Sequence, residues 1–122
     1  MPVLLVLLGG MLGAPLRYLT DRAVSSRHDS VFPWGTFTVN VVGSFVLGSI
    51  AAGVARHGWP NNAALFVGTG ICGGLTTFST FGYETVRLMT AGALRMAAWN
   101  VLGSLAAGLA AATAGWALIS AL

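Results

Sequence analysis

Hydroxyl groups and glycines are concentrated in one apolar part of the sequence. Residues 68–81 read GTGICGGLTTFSTF, with four glycines and five serines or threonines among fourteen residues. Glycine weakens a helix by about 1 kcal/mol relative to alanine. A helix broken inside an apolar span frees carbonyls and amides, which only surrounding protein or a ligand path tolerates, and such breaks commonly build ion sites. The segment therefore predicts an ion site at a broken helix, with a glycine-kinked packing helix as the alternative.

Three further polar side chains lie inside apolar stretches. Asn40 falls in the middle of GTFTVNVVGSF, and Asn100 and Ser104 are four residues apart, which places them on one helical face. An amide in hydrocarbon is costly unless it bonds to another helix or meets a polar path. Spacing alone leaves two interpretations open, contact between helices and lining of a pore.

Ionisable groups are few, and most lie near the ends of the apolar stretches. Arg17 either reaches the lipid headgroups by snorkelling or lines an aqueous vestibule that concentrates anions. Glu84 precedes Arg87 by three residues, a spacing that favours an ion pair. The sequence contains no cluster of metal-binding side chains, nucleophile–base pair or phosphate loop, so it predicts that the chain is not an enzyme.

The composition is that of a membrane protein. Of 122 residues, 56% are hydrophobic and 7% are charged, against about 25% charged in a typical soluble domain. The mean hydropathy is +0.81. The net charge of +3 comes from six scattered arginines against three acids, with no basic stripe, so we expect no nucleic-acid binding.

Four apolar stretches position these groups, and each is long enough to cross a bilayer. They cover about residues 3–19, 34–55, 62–90 and 94–119, with one long polar loop at 25–30. This pattern predicts an all-α membrane protein, a single four-helix unit over residues 1–122 whose third helix is broken near its middle. Small residues recur every four positions and predict close helix packing: Gly9 and Gly13; Ser44, Gly48 and Ala52; Ser104, Gly108 and Ala112.

Three segments resemble the CrcB/Fluc family of fluoride channels. They are GGMLGAPLRY (Gly9 to Tyr18), PWGTFTVNVVGSFVLG (Pro33 to Gly48) and GICGGLTTFSTF (Gly70 to Phe81), in the family's order. The resemblance covers nearly the whole chain, although the fourth helix matches only loosely. It implies an antiparallel, dual-topology dimer in the cell inner (plasma) membrane. Two pores in that dimer would export toxic cytoplasmic fluoride by passive flux.

The resemblance also implies where the ions lie. Six residues would line the fluoride pathway as aromatic rings, hydrogen-bond donors or a vestibule charge: Phe78, Phe81, Asn40, Ser104, Thr77 and Arg17. The backbone carbonyls of Gly73 and Thr76 would hold a structural Na⁺ at the dimer interface. Asn100 stands where the family often has tyrosine, so the resemblance assigns it no role.

The arginines are unevenly distributed between the two sides of the predicted bundle. Four spans place Arg56 on one side and the other five on the opposite side: Arg17, Arg22, Arg27, Arg87 and Arg95. A homodimer is the simplest family arrangement and is the one we expect. The imbalance would instead suit a chain that inserts one way and pairs with an oppositely oriented paralogue.

The alternative function is a small multidrug-type proton-coupled antiporter. It predicts an acidic residue in the first helix, and residues 3–19 contain none.

Overall fold

A computed structural model describes residues 2–28 and 32–122, and this part of the chain is helical, without strands. Helix α1 covers Pro2–Ser25, α2 covers Trp34–His57 and α5 covers Leu94–Ser120. The third run starts as α-helix Asn61–Ala63, continues as π-helix Ala64–Cys72 and returns to α-helix at Gly73–Leu75. These three segments together are α3. Residues 76–78 are not helical, and α4 covers Ser79–Thr90.

Among the described residues, four helical runs are long and apolar enough to cross a membrane, counting Asn61–Thr90 as one. Helix α1 continues past its predicted end near Leu19, because a polar turn extends it beyond the apolar stretch. In that turn the Arg22 side chain donates to Tyr18 Oη at 2.9 Å, one helical turn away. Of the predicted polar loop, Ser25 ends α1, whereas Asp29 and Ser30 lie outside the described residues.

The far ends of α2 and α5 are joined by a side chain. Gly58 follows α2 with φ +65°, a left-handed conformation that glycine adopts without steric cost and that ends helices. Just before it, a ring nitrogen of His57 lies 2.7 Å from the Ile119 carbonyl in the last turn of α5. This contact satisfies one of the carbonyls that a helix end leaves without an amide partner.

Small residues allow α1 to lie directly against α3. A Cβ placed on Gly9 would overlap the Phe66 carbonyl and lie 2.7 Å from the Gly70 Cα. A Cβ on Gly13 would overlap the Ile71 carbonyl. Since real Cβ atoms do not come so close to backbone, both positions require glycine, and the predicted packing role of Gly9 and Gly13 is confirmed.

The same device joins α2 to α5. A Cβ on Gly48 would overlap the backbone of Ala112, and one on Gly108 would lie 3.5 Å from Ser44 Oγ. Ala52, on the same face of α2, is fully buried. The predicted small-residue faces of these two helices therefore pack against each other, which fixes α5 beside the α2 residues that border the break after α3.

Candidate anion pathway

The backbone leaves the helix after Leu75, and a side chain of α2 stabilises the interruption. Thr76 is extended, with φ −80° and ψ 159°. Across the gap, the Thr77 amide donates to Asn40 Oδ1 at 2.8 Å, and Asn40 Nδ2 donates to the Thr77 carbonyl at 3.0 Å. One carboxamide thus satisfies both backbone groups of Thr77. The nitrogen of Asn40 carries two hydrogens, so a second one is left for another acceptor.

These contacts release two carbonyls from their usual helical partners. In a continuous helix the Thr77 amide would donate to the Gly73 carbonyl, but here it donates to Asn40. The Thr80 amide would donate to the Thr76 carbonyl, but here it donates to Thr77 Oγ1 at 3.2 Å. Carbonyl oxygens freed in this way are the hard ligands that small cations prefer. Gly73 is exposed, and a Cβ there would meet no heavy atom within 4 Å.

Thr76 is held at the break by contacts on both sides of its side chain. Its Oγ1 donates to the Cys72 carbonyl at 2.8 Å, and its Cγ2 methyl occupies the space that a Cβ on Gly43 would need. The missing side chain at Gly43 therefore lets the extended residue pack against α2. A residue with a side chain at this position, one turn after Asn40, would displace Thr76.

A cavity of about 530 Å³ opens beside the interruption, between α2, α3, α4 and α5. Seven of the eight residues predicted from the sequence for the fluoride pathway and the cation line it: Asn40, Gly73, Thr76, Thr77, Phe78, Phe81 and Ser104. The wall is mostly apolar with a few convergent polar groups, which is typical of a ligand site. The structure therefore brings together side chains from three parts of the sequence.

Two phenyl rings border the cavity. The centroids of Phe78 and Phe81 lie 5.9 Å apart with an interplanar angle of 40°. Phe78 is 83% exposed and lies in the non-helical segment between α3 and α4. The positive edge of a phenyl ring can face an anion, so this pair offers weak contacts that do not trap an ion.

Arg17 is the exception among the predicted residues, because it does not line the cavity. It is half-buried and lies on α1, whereas the cavity is lined from α2 onward. Within one chain, the Arg17 guanidinium is therefore separate from the phenyl rings and hydroxyl groups that line the cavity. Its two predicted roles, at the headgroups or in a vestibule, stay predictions.

Glu84 does not form the predicted contact with Arg87. Its carboxylate lies near Thr36 of α2 and Asp21 of α1, and its Oε1 atom is buried with no hydrogen-bond partner among the described residues. Arg87 is close enough to act on the carboxylate electrostatically, but the two make no salt bridge among the described residues, and the carboxylate also lies near groups of two other helices. Sequence spacing could not reveal these partners, which come from distant segments.

Thr85 was not singled out by its sequence, yet it connects two helices. Its Oγ1 donates to the Phe81 carbonyl at 2.8 Å and accepts from Asn100 Nδ2 at 2.7 Å. Asn100 is 1% exposed and makes its contact to α4, as one of the two sequence interpretations anticipated. The signal available in the sequence was the spacing of Phe81 and Thr85, four residues apart on one helical face.

One family of known proteins matches most of this chain. The family described as CrcB-like protein, Camphor Resistance (CrcB), matches residues 4–116. The chain belongs to the CrcB family. A "Fluoride-specific ion channel FluC 1" of Nocardia farcinica is 61% identical over 109 residues, which cover 89% of this chain and 74% of that protein. Its namesake in Frankia casuarinae is 56% identical over 121 residues, covering 94% and 93%.

The family confirms two of the predictions made from the sequence. The resemblance to CrcB/Fluc proteins is correct, and the relatives are named as ion channels, which agrees with a chain that is not an enzyme. A further "Fluoride-specific ion channel FluC 1", from Streptomyces avermitilis, is 55% identical over 112 residues, covering 92% of this chain and 90% of that protein. With four apolar helical runs, this CrcB chain is a multi-pass membrane protein.

Proposed function

We propose that this chain is the subunit of a fluoride-selective channel that exports toxic cytoplasmic fluoride by passive flux across the cell inner (plasma) membrane. The observation that carries the proposal is the cavity at the break after α3, where Asn40, Thr77 and Ser104 converge beside two phenyl rings. Relatives more than half identical to this chain are named fluoride-specific ion channels. The donors and the family together favour an anion over other small solutes.

Fluoride is small and strongly hydrated, so a dry path would cost tens of kcal/mol. Donors along the cavity replace that hydration in steps. Asn40 keeps one N–H of its Nδ2 free of the Thr77 carbonyl, and Ser104 and Thr77 contribute hydroxyls. The edges of Phe78 and Phe81 add weak positive contacts. Several weak sites in series bind the ion without holding it, as conduction requires.

The proposal includes a second copy of the chain. Phe78 is 83% exposed and Gly73 faces open space, so the pathway of a single chain is open on one side. A second, antiparallel copy would cover this side and give two equivalent pores. The uneven arginine distribution remains the argument for the alternative, a heterodimer with an oppositely oriented paralogue.

A structural Na⁺ at the centre of that dimer fits the chemistry of the break. The carbonyls of Gly73 and Thr76 have both lost their helical amide donors to side chains. Two such carbonyls from each copy would supply four neutral oxygens, a set suited to a small hard cation. When bound, the ion would tie the two breaks together, and this chain's own residues would hold the carbonyls in place through Asn40 and Thr77.

The test is fluoride efflux from liposomes that contain this chain alone, followed with a fluoride electrode, with chloride efflux measured in parallel. We expect rapid fluoride release, little chloride release, and no dependence on an imposed pH gradient. Replacing Na⁺ by a large organic cation during purification should reduce the fluoride flux. Fluoride release that requires a proton gradient would support the proton-coupled antiporter instead. Folded protein that releases fluoride only with a co-expressed paralogue would support the heterodimer.

A further inference from the structure

Three polar contacts in series link α4 to α5 beside the cavity. Thr85 Oγ1 donates to the Phe81 carbonyl at 2.8 Å, and Asn100 Nδ2 donates to Thr85 Oγ1 at 2.7 Å. At the other end, Ser104 Oγ lies 3.5 Å from Asn100 Oδ1. Phe81 and Ser104 line the cavity, whereas Thr85 and Asn100 do not. The two inner residues therefore connect two parts of the cavity wall.

The hydroxyl of Thr85 fixes the orientation of the Asn100 amide. A threonine hydroxyl has one proton, and Thr85 uses it for the Phe81 carbonyl, which can only accept. The Asn100 atom that contacts Thr85 Oγ1 must then be a donor, which is Nδ2. The acceptor Oδ1 consequently faces Ser104.

The two contacts of Asn100 differ in strength. The contact with Thr85 is short at 2.7 Å, while the contact with Ser104, at 3.5 Å, is at the outer limit for a hydrogen bond. Asn100 is 1% exposed, so the short contact holds the amide in one position. The Ser104 proton is held only weakly, and its oxygen stands at the cavity wall, where the hydroxyl can rotate toward an anion.

We propose that Asn100 is a positioning residue for the anion pathway, an inference that rests on the proposed function. Through Thr85 it fixes the turn of α4 that carries Phe81. Through Oδ1 it accepts the Ser104 proton when no anion is present, and Ser104 turns that proton to fluoride as the ion passes. Without this weak acceptor, the resting hydroxyl would bond to a backbone carbonyl one turn back in its own helix, a partner that it would give up less readily to a passing ion.

The experiment measures fluoride efflux from liposomes as a function of fluoride concentration, for Asn100→Leu, Ser104→Ala and the double variant. We expect each single variant to reduce flux at low fluoride roughly five- to tenfold, the size of one neutral hydrogen bond. The double variant should lose less flux than the product of the two single reductions, since part of the Asn100 effect passes through Ser104. Ser49→Ala is the matched control, because Ser49 also bonds to a carbonyl of its own helix and does not line the cavity.

A second pair of variants separates positioning from folding. Thr85→Ser keeps the hydroxyl and should retain the wild-type flux, whereas Thr85→Val removes it and should lower flux as Asn100→Leu does. Thr90→Val serves as the control, since Thr90 bonds to the Arg87 carbonyl and is exposed. Size-exclusion profiles identify any variant that fails to fold, and only folded variants enter the flux comparison.

The outcomes distinguish the two proposals. If the wild-type chain releases fluoride but Asn100→Leu and Ser104→Ala reduce the flux additively, the positioning role is wrong and the channel stands. Equal flux for Thr85→Ser and Thr85→Val would also overturn it. If the wild-type chain releases no fluoride, with or without a paralogue, the proposed function itself fails.

Discussion

Asn40 and Thr77 hold each other by two hydrogen bonds across a distance of 37 residues in the sequence, at 3.0 Å and 2.8 Å. The amide of Asn40 thereby replaces the helical partners that Thr77 loses where α3 ends. The two hydrogen bonds run in opposite directions: Asn40 Nδ2 donates in one, and Asn40 Oδ1 accepts in the other. Among ionised and amide side chains of this shape, only asparagine and the longer glutamine combine an NH₂ donor with a carbonyl acceptor, whereas an ionised aspartate only accepts.

Because Asn40 must both donate and accept, Asn40→Asp tests its role directly. Aspartate keeps the acceptor for the Thr77 amide but sets a second oxygen against the Thr77 carbonyl. The unpaired, partly buried acceptor should cost about 1–3 kcal/mol of folding free energy. The new negative charge also lies on the cavity wall and repels an anion. We expect fluoride efflux to fall below detection, with a lower melting temperature in detergent.

The matched control for this substitution is Asn62→Asp. Asn62 is exposed and lies in the first turn of α3, where a negative charge is favourable. This variant should conduct and melt like the wild type. Normal efflux from folded Asn40→Asp would show that Asn40 serves only as a contact between helices.

The phenyl rings should affect flux more than stability. Phe81→Ile and Phe78→Ile each remove an aromatic edge from the cavity while keeping an apolar side chain, so we expect flux to fall roughly tenfold. Dimer assembly, measured by size-exclusion chromatography with light scattering in detergent, should be unchanged. Phe45→Ile is the control, since Phe45 lies on α2 away from the cavity. If all three variants conduct equally, the rings are not part of the pathway.

The four spans were predictable because their signal is local, whereas seven of the fifteen residues that line the cavity were predicted, mainly through the resemblance. Hydropathy marks the spans, and glycines with hydroxyls at 68–81 mark the segment that departs from regular α-helix. Small residues at intervals of four mark the faces that pack, as Gly9 and Gly13 show against α3. The resemblance added the predicted pathway roles of Phe78 and Phe81, which spacing alone could not supply.

Features that depend on contacts between distant segments were not predictable in this way. The π-helix Ala64–Cys72 begins four residues before the glycine-rich segment, at apolar residues that give no sign of it. Glu84 makes no salt bridge with Arg87 among the described residues, and its carboxylate also lies near Thr36 and Asp21, which belong to distant segments. The link from Thr85 to Asn100 likewise joins residues of two helices, and no periodicity reports it.

The α2–α5 contact gives a prediction about stability alone. A Cβ at Gly115 would overlap the Phe45 carbonyl and lie 2.6 Å from Ser49 Oγ, so Gly115→Ala should destabilise the fold by about 1–3 kcal/mol. Gly103→Ala, on the same helix, meets no heavy atom within 4 Å and should stabilise it by about 0.5–1 kcal/mol. Thermal melts in detergent compare the two. A Gly115→Ala variant that melts at or above the wild-type temperature would contradict this packing.

Gly43 and Thr76 allow a test with rescue. Gly43→Ala places a methyl where the Thr76 Cγ2 lies, so Thr76 must move and the break must change shape. We expect the variant to fold with strongly reduced fluoride flux. Thr76→Ser removes that methyl and keeps the hydroxyl that donates to the Cys72 carbonyl. The nearest remaining atom to the Cβ introduced by Gly43→Ala would then be the Cβ of residue 76, at 3.7 Å, an ordinary contact.

The double variant Gly43→Ala with Thr76→Ser should therefore recover most of the wild-type flux that Gly43→Ala alone loses. Gly82→Ala serves as the control, because a Cβ there meets no heavy atom within 4 Å and the residue does not line the cavity. Recovery would show that the position of Thr76 at the break controls conduction, since serine restores only the space and keeps the hydrogen bond. Failure of the double variant to conduct, with Thr76→Ser alone active, would mean that Gly43 serves the pathway in some way other than by making room for Thr76.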